Sequence, residues 1–166
     1  MKVKPKVLGV LTCLFLGWNF LTGAASTAVA EDLKLEAHLI WGTDQEKSPD
    51  PDHKPVSPGI RAKLCKLPIK WKNYFLVKRE EFKVAEGKTK TVKLSKECEI
   101  KVKNVDGKSI ELEVIGKGIT VGKIVQCLEK GKCLVTGGDA ENLTSWFVFL
   151  RQVEKHDKKK QDDKNE

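Results

Sequence analysis

Four cysteines, Cys65, Cys98, Cys127 and Cys133, and three histidines, His38, His53 and His156, are the obvious candidates for chemistry beyond residue 30. In an oxidising compartment the thiols would pair, and four cysteines allow three full pairings. The stretch Cys127-Leu128-Glu129-Lys130-Gly131-Lys132-Cys133 supplies a geometric case for one of them. A three-residue loop over 129–131 puts Gly131 at the position that needs positive φ and sets Cys127 opposite Cys133. Such a non-hydrogen-bonded pair has Cα atoms ~4.5 Å apart, inside the range of roughly 4.4–6.8 Å that a disulfide accepts. Cys65 and Cys98 are left as a second pair. Cys98 shares a strand face with Ile100, whereas Cys65 lies off the apolar stripe of its own segment.

No histidine stands at metal-ligand spacing from another histidine or a cysteine, and neither a metal nor a cofactor is expected. The chain has no G-x-S-x-G, H-E-x-x-H or glycine-rich phosphate loop. Its carboxylates alternate with lysines on strand faces, so none is named as a general acid or base. No catalytic residue emerges, and an enzyme with a dispersed site ranks last among the functions considered.

Aromatic rings offer a different chemistry, stacking against a sugar or a peptide. Trp41 and Trp146 border apolar strands and are expected in the core. Trp71-Lys72-Asn73-Tyr74 is less periodic and is the candidate recognition patch.

The N-terminus defines the setting. Lys2, Lys4 and Lys6 precede an apolar run from Val7 to Leu21, and small residues lead to Ala28-Val29-Ala30. A basic, then apolar, then small-residue order predicts a signal peptide over 1–30. The apolar run is short for a span of ~20 residues, so no transmembrane segment is expected after cleavage. Loss of the three leader lysines leaves 28 basic against 23 acidic side chains, a net +5. The charge is interleaved rather than clustered, which argues against nucleic acid as a partner. The expected location is the periplasm or extracellular space.

The elements that must position these residues are mostly strands. LKLEAHLIW, 33–41, alternates, with His38 expected to face solvent. A Pro/Asp-rich loop covers 42–57. Ser57-Pro58 opens a helix expected over about 58–67, with Ile60, Leu64 and Leu67 on one stripe. Strand candidates follow at 71–84, with a break or bulge around 78–81, and at 89–94. ECEIKVKNVDGKSIELEVI, 97–115, is a hairpin. A three-residue loop over 105–107 pairs Asn104 with Lys108, Val102 with Ile110, Ile100 with Leu112 and Cys98 with Val114, and keeps one face apolar. Further strands are expected at 119–128, 133–136 and 146–153. WFVFLRQV is apolar on both faces, as a central strand would be. The charged tail, 154–166, has no apolar side chain and is expected to be disordered.

Short strands with glycine turns predict a mainly β fold, an antiparallel β-sandwich or a partly open small barrel with one short helix. Residues 31–153 form a single β-rich domain. The expected function is a non-catalytic binding or structural protein of the cell envelope or extracellular space, with a protein or polysaccharide partner. The alternative is a secreted inhibitor or accessory subunit that uses the 42–58 loop.

Overall fold

The computed structural model describes residues 32–48, 50–68, 71–141 and 143–153. The expected signal peptide, the charged tail and His156 lie outside these residues. Nine strands and one helix follow in chain order: β1 Leu33–Thr43, β2 Lys54–Pro55, α1 Pro58–Leu64, β3 Asn73–Val84, β4 Thr89–Lys93, β5 Cys98–Asn104, β6 Ser109–Gly116, β7 Ile119–Cys127, β8 Cys133–Ala140 and β9 Thr144–Gln152. They form two antiparallel sheets, ordered β2-β3-β1-β9-β8 and β4-β5-β6-β7. The sandwich-like alternative therefore holds, and no barrel closes.

The core lies between the sheets. Leu33, Leu35, Ala37 and Leu39 of β1 join Ile100, Val102, Ile110, Leu112 and Val114 of the smaller sheet, with Val148 and Leu150 of β9. Alternation along each strand delivers these residues to one side. The outer face of the larger sheet carries a second cluster. There Leu64 of α1 packs on Ile40, Tyr74, Phe147 and Phe149, with Ile60 and Leu67 partly buried against them. The expected helical stripe is correct, although the helix stops at Leu64 rather than Leu67. Lys66 and Leu67 continue in tighter turns, donating to Lys63 and Leu64 carbonyls.

The central hairpin forms in a different register. Val102 meets Leu112, Ile100 meets Val114, Cys98 meets Gly116 and Asn104 meets Ile110, each two residues from the expected partner. A shift of two preserves the faces because side chains repeat every two residues. Charge and loop chemistry favour the observed pairing. It sets Lys101 against Glu113 and Lys103 against Glu111, whereas the other register opposes Glu99 to Glu113. The Asp106 carboxylate accepts from the backbone N–H groups of Lys108 and Ser109, and the Asn104 side-chain carbonyl accepts from Gly107 N–H. Gly107 takes a φ of +79°, so the need for glycine was read correctly.

The 127–133 segment is not a hairpin. β7 is the edge of the smaller sheet and β8 the edge of the larger one, so the chain crosses between layers. Leu128 plugs the core at the crossing. Gly131 has the expected positive φ, +78°, but the turn it makes does not fold β8 back onto β7. Cys127 instead lies opposite Ser109, and Cys133 opposite Arg151. All four cysteines, Cys65, Cys98, Cys127 and Cys133, are free thiols in this structure. Burial pushes the Cys98 thiol up to about 11, which keeps it protonated and a poor nucleophile.

β3 is one strand with a bulge, not two. Val77 is the extra residue where the pairing with β1 shifts between Leu39 and Ile40. Past the bulge, Arg79 and Glu81 come opposite His38 and Glu36.

Candidate functional site

The outer face of the larger sheet has an apolar half under α1 and a polar half beyond it. On β1, Ile40 belongs to the first, and His38 and Glu36 to the second. His38, expected to face solvent, is only 4% exposed, and Glu36 only 1%. The correction has a physical cause. The strand alternates as expected, but its polar face is roofed by side chains from β3 and β9.

Arg79 stands opposite His38 on β3 and reaches diagonally to Glu36, while Arg151 stands directly opposite Glu36 on β9. Arg79 Nε donates to Glu36 Oε1 at 2.6 Å, and Arg151 Nε and Nη2 donate to Oε2 at 2.9 and 2.8 Å. His38 Nε2 also meets Oε1. Arg79 Nη2 makes a further bond of 2.8 Å to Glu81. Burial alone would raise the Glu36 pKa. The His38 hydrogen bond, then the charges of His38, Arg151 and Arg79, outweigh it and lower the value from 4.5 to about 2. An ionised carboxylate only accepts, so His38 Nε2 must be the donor. The other ring nitrogen, Nδ1, is buried without a hydrogen-bond partner among the described residues.

This cluster forms part of the lining of an open cleft of about 620 Å³ between the sheet, β2 and α1. Val56, Ile60, Leu76 and Phe149 supply apolar wall, and Lys54 and Lys63 supply ammonium groups. Lys63 Nζ lies 5.6 Å from the Phe149 ring centroid, a cation–π distance. β2 holds the near wall in place by pairing Lys54 with Leu76 and Pro55 with Phe75 on β3. Val56 N–H extends that contact to the Tyr74 carbonyl at 3.1 Å. The 42–57 loop is thus anchored at its C-terminal end. His53 braces its middle, with Ser48 Oγ 2.8 Å from Nδ1 and its ring 6.5 Å from that of Trp41.

The expected recognition patch is not a free surface. Tyr74 is buried, and its hydroxyl accepts from Trp71 N–H. Trp71 is half-buried against the α1 cluster and occupies the space above Gly42. Lys72 is exposed, but its N–H donates to Asp44 and its carbonyl accepts from Arg61. Asn73 ties to the Gln45 carbonyl at 2.9 Å. Together the four residues fasten the loop and the helix to the start of β3. Their irregular spacing reflects a corner rather than a binding face.

Sequence reasoning missed Glu36, Arg79 and Arg151. A signal was present in Arg151, which closes a strand apolar on both faces. Charged groups are rarely buried unpaired, so a carboxylate on a neighbouring strand was implied, but only the strand order names it. Among the described residues, no group of three or more His, Cys, Asp and Glu side chains is placed to hold a metal ion. No described helix is long and apolar enough to cross a membrane. Neither the known protein families, the curated proteins nor the solved structures contain a match to this chain.

Proposed function

We propose that this is an exported, non-catalytic binding protein of the cell envelope or extracellular space, and that its ligand sits in the cleft beside α1. The leader-like N-terminus supports export. The single observation that carries the binding site is the cleft, whose polar floor is fixed before any ligand arrives. Glu36 has acceptor bonds at both oxygens, and the arginines that supply them come from both neighbouring strands. A floor held this way loses little freedom on binding. The cleft volume of about 620 Å³ lies within the range of roughly 300–1,000 Å³ common for ligand sites.

The state of Glu36 favours binding over proton chemistry. A general acid or base works best with a pKa near the working pH. Glu36 is moved the other way, to about 2, and stays ionised.

Gly59 gives a clean test, because it lines the cleft and a Cβ added there meets nothing within 4 Å. Protein recovered from outside the cytoplasm should begin at Glu31 and, by native mass spectrometry, carry a small molecule. Gly59→Trp should lose that molecule while keeping its melting temperature. Equal retention by the variant overturns the cleft as the site, and cytoplasmic material retaining Met1 overturns export.

A further inference from the structure

We infer that the cleft takes an amphipathic anion, a carboxylate on an apolar chain, with the acid group held by Lys54 and Lys63 rather than by the arginines. The inference rests on the cleft being the binding site and names the chemistry it selects.

The charges lining the cleft do not cancel. Lys54, Lys63, Arg79 and Arg151 face two carboxylates, Glu36 and Glu81. The arginines and carboxylates are engaged with one another, with Arg79 bridging Glu36 and Glu81 and Arg151 gripping Glu36 through two nitrogens. The excess therefore falls on the lysines. Neither Lys54 nor Lys63 has an ion pair among the described residues. They belong to separate elements, β2 and α1, so a single anion between them would tie those elements together. Lysine suits this role, because its ammonium is a mobile point charge on a flexible stem.

The rest of the lining is chemically different. Pro55, Val56, Ile60, Leu76, Phe149 and Val153 offer no charge. An inorganic anion would leave that surface unused, and a neutral apolar molecule would leave the lysines unpaired. A ligand with one charged end and one apolar body satisfies both at once. Lys63 Nζ lies over the Phe149 ring, which is itself buried, so the apolar surface open to the ligand beside the charge is that of the half-buried Val56, Ile60 and Leu76.

Titration of sodium decanoate, below its micellar concentration, into the ¹⁵N-labelled protein tests this. Saturable shifts should gather at the amides of Val56, Lys63, Leu76 and Phe149. Decan-1-ol, with the tail but no charge, and acetate, with the charge but no tail, should each bind at least tenfold more weakly. Lys54→Gln with Lys63→Gln should weaken decanoate at least tenfold at an unchanged melting temperature. Equal binding of decanol, or an unaffected double variant, overturns the inference. So does binding to anionic vesicles without binding of free decanoate. If an oligogalacturonate shifts the same amides and decanoate does not, the ligand class is wrong but the cleft survives as the site. If neither shifts them, both the ligand class and the cleft fall.

Discussion

The two sheets carry carboxylates on their outer faces in opposite ways. On the larger sheet, Glu36 is sealed beneath two arginines and a histidine. On the smaller sheet, Glu113 lies in an open ladder opposite Lys101 and Lys123, and accepts a 2.6 Å bond from Thr120. Both carboxyls are held below their ordinary pKa. For Glu36 burial opposes the shift and His38 and the arginines overcome it, whereas for Glu113 the Thr120 hydrogen bond leads. The same chemical signature thus arises from a built cluster on one face and from ordinary strand neighbours on the other. The difference lies in burial, since Glu36 and His38 are shut away from water while Arg79 and Arg151, about a third exposed, cover them.

Glu36→Gln gives the largest expected effect. It keeps the shape but leaves Arg79, Arg151 and His38 facing one another without the charge that holds them. Breaking a buried pair from one side costs about 3–5 kcal/mol, and because both arginines keep about a third of their surface in water urea denaturation should show a loss near the lower end of that range. An unchanged midpoint would mean that the arginines swing out to solvent and that the cleft floor is not fixed.

Acid gives the next largest effect. The folded carboxyl of Glu36 is lowered from 4.5 to about 2, so the unfolded chain takes up the proton first as pH falls. Its stabilisation is full above pH 4.5 and is lost as pH falls through the folded value near 2. At about 1.4 kcal/mol per unit, the shift is worth about 3 kcal/mol. The stability gap between wild type and Glu36→Gln should therefore narrow steadily between pH 4.5 and pH 2, measured by denaturation at each pH. A gap independent of pH over that window would show that the carboxylate charge is not what holds the cluster.

Glu113→Gln gives the smallest. The amide keeps an oxygen for Thr120, and the two lysines remain in water. The urea midpoint at pH 7 should barely move. A loss approaching that of Glu36→Gln would erase the distinction between the two faces.

Which parts of this arrangement were legible beforehand follows from the range of the forces. The alternation of β1 correctly placed His38 on one side and Leu33, Leu35, Ala37 and Leu39 on the other. It could not say that the polar side would be covered. Arg151 is 115 residues from Glu36 along the chain, and no local pattern joins them. The same limit explains the 127–133 segment. Its turn residue was read correctly, because a positive φ is a local property of Gly131. Whether β8 then paired with β7 or left for the other sheet depended on β9, which pairs with all eight residues of β8.

By itself the sequence determined the mainly β class, the helix opened by Pro58, the positive-φ turns at Gly107 and Gly131 and the apolar faces of β1, β5 and β6. These depend on backbone sterics and on the two-residue and 3.6-residue periods, which act between near neighbours. Only the tertiary structure decided the hairpin register, the crossing between sheets, the burial of Tyr74 and the meeting of Glu36 with Arg79 and Arg151. Those outcomes depend on which strands lie side by side. Strand order is set by the burial of the whole core, a sum over residues far apart in the chain, and no single segment contains it.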